Sequence, residues 1–200
     1  MGSDPISRIV SGAPRGRRVL IAYATVDGHT GRIADRLREL LQAAGHVVTL
    51  ARIGAAPIDV DRADVVVLGS SIRYGKHQPE LLAFVERSLP RLLRVPSAFF
   101  SVNLVARKPG KDTAATNPYV RAFLRQSAWR PRLTAVFGGK LDYARYGLVD
   151  RHVIRLIMLL TGGPTDPRAC VDYTDWGAVA AFAERIAALA ARPATSAGRP

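Results

Sequence analysis

The sequence predicts a three-layer α/β domain built on a five-stranded, mostly parallel sheet. Two observations carry that prediction. Short apolar, β-branched runs alternate along the chain with segments whose apolar residues repeat at helical spacing. The first such run also stops in a short glycine- and hydroxyl-bearing loop that opens directly into a helix. Size agrees: 200 residues, 48% apolar and 22% charged, suit one domain with a sizeable core.

The elements follow in order. Residues 1–17 hold no apolar stretch of signal-peptide length, and Met1–Gly2–Ser3–Asp4–Pro5 reads as an added leader. We therefore take 1–17 as an N-terminal tail, 18–191 as the domain, and 192–200, rich in Pro, Ala, Gly and Ser, as a flexible tail. Val19–Tyr23 is the first strand. A helix over Arg32–Ala43, beginning near Gly31, carries Ile33, Leu37, Leu40 and Leu41 on one face, and Gly45 closes it. His46–Ile53 is the second strand. Asp64–Gly69 reads as a central parallel strand, and Pro79 opens a helix reaching about Ser88. Ser97–Asn103 is the fourth strand, Pro118–Ser127 a helix, and Leu133–Phe137 the fifth strand. Asp175–Ala191 is a long helix with Trp176, Val179, Phe182, Ile186 and Leu189 along one side.

With the glycine loop after the first strand, the flavodoxin-like order 2-1-3-4-5 is the natural arrangement. Ligands in such sheets bind beyond the carboxyl ends of the strands, near the first and third. Thr25, Val26, Asp27, Gly28, His29 and Thr30 combine hydroxyls, one Gly and a helix start, a set suited to phosphate. The loop lacks the Gly-Lys-Ser/Thr ending of a nucleoside-triphosphate clamp and the three spaced glycines of a dinucleotide fingerprint. The terminal phosphate of a mononucleotide fits better, flavin mononucleotide (FMN) being the usual case. After the third strand, Ser70, Ser71, Ile72, Arg73, Tyr74 and Gly75 offer hydrogen bonds, a stacking ring and a tight turn. After the fourth, Asn103 suits a pyrimidine edge, while Leu104, Val105 and Ala106 suit a ring face. Three binding-type loops at consecutive positions make a flavin pocket. No metal-ligand set is read.

The single cysteine, Cys170, excludes an internal disulfide framework. The formal charge of +13 favours anionic partners, although Arg dominance alone would raise it. No groove-reading helix or RNA-stacking motif accompanies the charge, so nucleic acid is not an expected partner. Lys140–Thr174 exceeds a plain connection between the fifth strand and the last helix. Within it Leu148–Leu160 is helical, with Val149, Val153, Leu156, Ile157 and Leu160 on one face and Arg151 and Arg155 on another. This segment is too short for a bilayer span of about 20 apolar residues. It suits an interfacial position on a membrane, a lid over an apolar ligand, or a packing or homo-oligomer interface.

The strings SSIRYGKH (Ser70–His77), FFSVNLVARKPGK (Phe99–Lys111), NPYVRAFL (Asn117–Leu124), WRP (Trp129–Pro131), YARY (Tyr143–Tyr146) and VDYTDW (Val171–Trp176) make the chain resemble the flavodoxin-like, quinone-dependent protoporphyrinogen oxidases of heme biosynthesis. The resemblance runs from Arg18 to about Ala191. It implies FMN as cofactor and oxidation of protoporphyrinogen IX in three two-electron rounds, with electrons passed to a membrane quinone. It also implies a peripheral place on the cytoplasmic side of the inner membrane and a role for Lys140–Thr174 in substrate handling or membrane contact. Ala24 stands where the family's phosphate loop has Ser. Arg73, Arg107, Lys108, Arg145, Arg151 and Arg155 are candidates for the substrate propionates, Arg being suited to bidentate carboxylate pairing. His77 is a proton-acceptor candidate by side-chain type alone. A flavodoxin-type electron carrier and an NAD(P)H-quinone reductase are the alternative activities.

Overall fold

The computed structural model describes residues 16–160 and 162–191. Of the expected tails over 1–17 and 192–200, residues 1–15 and 192–200 lie outside the described residues. Within them the chain runs β1 (Arg18–Ala24), α1 (His29–Ala43), β2 (Val47–Arg52), β3 (Val65–Arg73), β4 (Lys76–His77), α2 (Pro79–Leu92), β5 (Ser97–Asn103), α3 (Pro118–Gln126), β6 (Leu133–Gly138), β7 (Lys140–Asp142), α4 (Leu148–Leu160), β8 (Cys170–Asp172) and α5 (Trp176–Ala191).

The five long strands are parallel and lie in the order β2-β1-β3-β5-β6, which is the expected 2-1-3-4-5 arrangement. β3 and β5 sit in the middle, and their runs Val65–Ser70 and Ser97–Asn103 are buried along their length. Strands covered on both faces read as unbroken apolar segments, as these do. α1 and α5 close one face, where Ile21, Val67 and Phe100 meet Ile33, Leu37, Phe182 and Ile186. α2 and α3 close the other, where Leu68 and Phe99 meet Leu81, Phe84, Val120 and Trp129. The Trp129 indole N–H, fully buried, donates to Ser97 Oγ at 2.9 Å. A third, smaller core joins Leu141, Tyr143, Tyr146 and Met158, so the insertion is packed on its own account.

Two boundaries differ from expectation for local reasons. Ser70–His77 is not a loop: β3 continues to Arg73 and turns antiparallel into β4, pairing Arg73 with Lys76. Tyr74 (φ 50°) and Gly75 (φ 77°) supply the two left-handed residues of a two-residue hairpin, and a left-handed Tyr carried no advance signal. α2 runs past Ser88 to Leu92 with Pro90 inside its last turn.

The insertion is tied to the sheet where β6 ends. Gly138 has no room for a side chain, because a Cβ would land on the Tyr173 backbone carbonyl, while Gly147 faces open space. Gly138→Ala should cost about 1–3 kcal/mol of stability by overpacking. Gly147→Ala should be neutral or slightly stabilising. Denaturant unfolding of the two variants checks the pair; equal stabilities would contradict the tight junction.

Candidate functional site

β1 hands the chain to α1 through Thr25–Gly28. Gly28 caps the helix in the left-handed conformation (φ 84°), which L-side chains adopt at a cost, and no side chain caps the helix start. Its N–H donates to Thr25 Oγ1 at 3.1 Å, which folds the loop back on itself. Thr30, in the first turn, is buried, and its Oγ1 has no hydrogen-bond partner among the described residues. A buried hydroxyl is costly to leave unpaired, and this one belongs to an uncapped helix start where the dipole favours an anion. The donor set therefore fits a phosphate.

One cavity of about 180 Å³ gathers the three expected loops. Its wall includes Thr25, Asp27, His29 and Thr30 from the first; Ser71, Ile72, Arg73, Tyr74 and Gly75 from the second; Asn103, Leu104 and Val105 from the third. Leu104–Arg107 is a 3₁₀ turn whose start is fixed by Asn103 Oδ1, which accepts the Ala106 N–H at 3.0 Å. Tyr74 stands 69% exposed at the mouth.

Several sequence assignments need correction. Val26 is 43% exposed and does not line the cavity. Ser70 is fully buried behind the wall, its Oγ accepting the Gln78 N–H and donating to the Ser71 carbonyl. Ala106 packs into the core beside α3. Asn103 reaches the cavity as a residue, but its amide is held by Ser101, Ala106 and Asn117, so it is braced from behind. Arg151 donates to the carbonyls of Tyr143 and Tyr146 at 3.2 and 3.4 Å, holding the turn ahead of α4. Neither Arg151 nor Arg155 lines the cavity. Arg145 points to a small adjoining recess and donates to the Asp27 carbonyl at 3.1 Å. Arg73, Arg107 and Lys108 do line the cavity.

The opposite wall comes from the insertion, for which a lid over an apolar ligand was one of the expected roles. Val153, Ile154, Ile157 and Met158 of α4 face the flavin-type loops across the cavity, with Tyr146, Gly139 and Lys140 below and Tyr119 of α3 to one side. Helical periodicity showed α4 to be apolar; only the tertiary fold shows which side turns inward. Three contacts fasten this wall to the phosphate-type loop. Arg73 pairs with Asp27 at 3.3 Å while its guanidinium lies over the Tyr146 ring. The Arg145 bond is the second. His29 Nε2 lies 2.7 Å from Thr174 Oγ1 and 3.4 Å from Asp172 Oδ1. Burial pushes the His29 imidazole below its ordinary pKa, with Asp172 opposing.

His77 is no proton acceptor at the cavity. It is packed between the Phe99 and Phe123 rings, outside the lining, with Nε2 2.9 Å from Ser101 Oγ. Burial pushes its pKa down to about 4, so it is neutral at pH 7.

Comparison with known proteins gives one picture. The flavodoxin domain family model matches residues 20–168. The chain is 46% identical over 177 residues to the protoporphyrinogen IX dehydrogenase [quinone] of Escherichia coli (strain K12), covering 88% of this chain and 98% of that protein. It is 44% identical to the Leishmania major protein of the same name, covering 88% of this chain and 78% of that one. Among solved structures, rubredoxin oxygen:oxidoreductase from Desulfovibrio gigas shares the fold at a TM-score of 0.51 and 14% identity, over 88% of this chain and 37% of that one.

The His77 environment sets a pH dependence. Its pKa falls from 6.5 in the unfolded chain to about 4 in the fold, so its share of stability is complete above about 6.5. That share is lost as pH falls toward 4, where the unfolded chain takes up the proton first. Between pH 7 and 5 the loss should be about 2 kcal/mol. Denaturant unfolding at both values should show His77→Gln losing less than the wild-type protein by that amount.

Proposed function

The chain belongs to the flavodoxin domain family and, within it, to the quinone-dependent protoporphyrinogen IX dehydrogenases, and we infer that it oxidises protoporphyrinogen IX to protoporphyrin IX with FMN and a quinone. The observation that carries the reading is a single cavity in which a phosphate-type helix start, with the unpartnered Thr30 hydroxyl, faces a wall of apolar side chains rimmed by cations.

FMN, when bound, supplies the two-electron chemistry that links porphyrinogen to quinone. The protein supplies binding and orientation. The Gly28–Thr30 helix start takes the phosphate. Tyr74, Leu104 and Val105 offer flat and apolar surface for the ring. Val153, Ile154, Ile157 and Met158 offer a broad apolar ledge for a tetrapyrrole body or a quinone ring. Arg107 and Lys108 are the cations placed to meet propionates. Arg107 is itself braced, donating to the Leu104 carbonyl at 2.9 Å with its guanidinium over Tyr173. Arg73, paired with Asp27, serves chiefly to join the wall to the phosphate loop.

The finer partners belong to the same reading. No helix among the described residues is long and apolar enough to cross a membrane. α4 nevertheless turns Leu156 (57% exposed) and Leu159 (68% exposed) outward while its other side walls the cavity. A peripheral position on an anionic, cytoplasm-facing membrane surface suits those leucines and the +13 charge, each basic residue near the surface contributing about 1 kcal/mol. That position would let α4 receive both lipid-borne reactants. A second copy of the chain is the other occupant that face could accept.

The FMN-loaded protein, given protoporphyrinogen and a menaquinone or ubiquinone analogue without oxygen, should generate porphyrin fluorescence; none would sink the activity. In the same preparation Thr30→Val should weaken FMN binding about tenfold or more, the effect of losing a hydrogen bond to a charged group. Replacing Leu156 and Leu159 together with Asn should lower co-sedimentation with anionic vesicles while leaving bound FMN unchanged. Undiminished pelleting would count against the membrane position.

A further inference from the structure

Behind the cavity wall runs a buried polar chain that joins three of the site's segments. His77 on β4 meets Ser101 on β5, with Nε2 2.9 Å from Oγ. Asn103 Nδ2 donates to the same Oγ at 3.2 Å. Asn103 Oδ1 accepts the Ala106 N–H at 3.0 Å and the Asn117 Nδ2–H at 3.2 Å. Asn117 in turn caps α3, its Oδ1 accepting the N–H groups of Tyr119 and Val120. Ser101 and Asn117 are fully buried and Asn103 is 4% exposed, so water cannot stand in for a missing partner.

From these contacts we infer that His77 is a positioning residue, which through the Ser101 hydroxyl fixes the orientation of the Asn103 amide and thereby the Leu104–Arg107 turn that walls the cavity. The inference rests on the FMN reading of that cavity.

The directions follow from donor and acceptor capacity. The backbone N–H of Ala106 can only donate, so Asn103 must turn Oδ1 toward it and Nδ2 toward Ser101. Ser101 Oγ is then an acceptor from Asn103, and its own proton needs another acceptor. Among the described residues His77 Nε2 is the acceptor within reach, which leaves the ring proton on Nδ1. A neutral ring satisfies this arrangement, and burial between Phe99 and Phe123 keeps it neutral. Without that acceptor the buried Ser101 proton has Asn103 as its alternative. Offering it Oδ1 would turn Nδ2 against both the Ala106 N–H and the Asn117 Nδ2–H, donor to donor, so either the proton is left unpaired or the amide is strained. The turn carrying Leu104, Val105 and Arg107 would loosen, although none of its residues had changed.

Three variants of the FMN-loaded protein, compared by FMN dissociation and flavin absorption, test this. His77→Leu keeps the apolar packing and removes the acceptor; FMN should bind about tenfold more weakly, with an altered flavin band. His77→Gln, whose amide oxygen can accept from Ser101, should stay within about twofold of wild type. Ser101→Ala added to His77→Leu removes the proton that drives the reversal and should recover most of the lost affinity. A merely structural His77 would lower thermal stability and leave the affinity of the folded protein untouched. The inference is overturned if folded His77→Leu binds FMN normally, if Gln fails as Leu does, or if Ser101→Ala deepens the loss. Should His77→Leu not fold, the ring ¹⁵N shifts of wild-type His77 decide: an unprotonated Nε2 at neutral pH supports the inference and a protonated one overturns it. Wild-type protein that takes up no FMN would instead sink the cofactor reading.

Discussion

Because the five long strands all run the same way, the chain has to leave every one of them at the same edge. That constraint gathers Thr25–Thr30, Ser71–Gly75 and Asn103–Arg107, far apart in sequence, around one cavity. The order β2-β1-β3-β5-β6 makes the connections after β1 and β3 depart to opposite faces of the sheet, which opens the crevice between them. α1 covers one face and α2 the other. The positive end of α1 therefore arrives at the crevice without any dedicated device. Gly28, left-handed, and Thr30, buried and with no hydrogen-bond partner among the described residues, give that helix start features that suit an anion.

An ordinary domain of this type could stop there. Here the crevice is walled by an insertion that has its own small core and is bound to the phosphate-type loop by side chains of opposite character. The Arg73–Asp27 pair is about one-fifth exposed on the Arg side, and Arg73 also lies over Tyr146. A surface ion pair alone contributes little, but a guanidinium held by a carboxylate and an aromatic ring is fixed in place by both. His29 carries another link, since its ring reaches Thr174, whose hydroxyl donates to the Gly138 carbonyl at 2.9 Å. The residues after Gly28 are therefore joined at once to the end of β6 and to the base of the insertion.

The scaffold was readable in the sequence because its signals are local: β-branched runs for β3 and β5, helical spacing of Ile33, Leu37 and Leu41, Pro79 and Pro118 at helix starts. The loops after β1, β3 and β5 were readable as segments that meet for a related reason, since parallel topology brings those connections to one edge of the sheet, where they share one cavity. Individual side chains were less accessible. Ser70 and Asn103 look like ligand contacts by type, yet both are committed to hydrogen bonds behind the wall. Arg151 looks like a propionate partner, yet two backbone carbonyls occupy it. Chemistry by residue type does not say which way a side chain turns, and burial decided each case. The inward face of α4 was only partly legible: Val153 and Ile157 of the expected apolar face line the cavity, but Leu156 of that face turns outward and Ile154 and Met158 complete the wall.

That last property bears on how the site meets its reactants. A helix that only walled a cavity would have every reason to be polar on its far side, since exposed leucines gain nothing from water. α4 keeps Met158 buried and Ile154 half-buried toward the domain, and Leu156 and Leu159 outward, while Ile157 belongs to both the cavity and the surface. The apolar surface is thus continuous from the cavity wall, over the helix, to the outside of the molecule. On the membrane reading this continuity is what a lipid-dissolved reactant requires. It could pass from an apolar phase to the cavity along α4, with Arg107 and Lys108 in the same cavity wall for its carboxylates. On the same reading, the contacts at Asp27, His29 and Gly138 hold the insertion in place. A helix drawn outward by lipid would otherwise leave the cavity without its second wall.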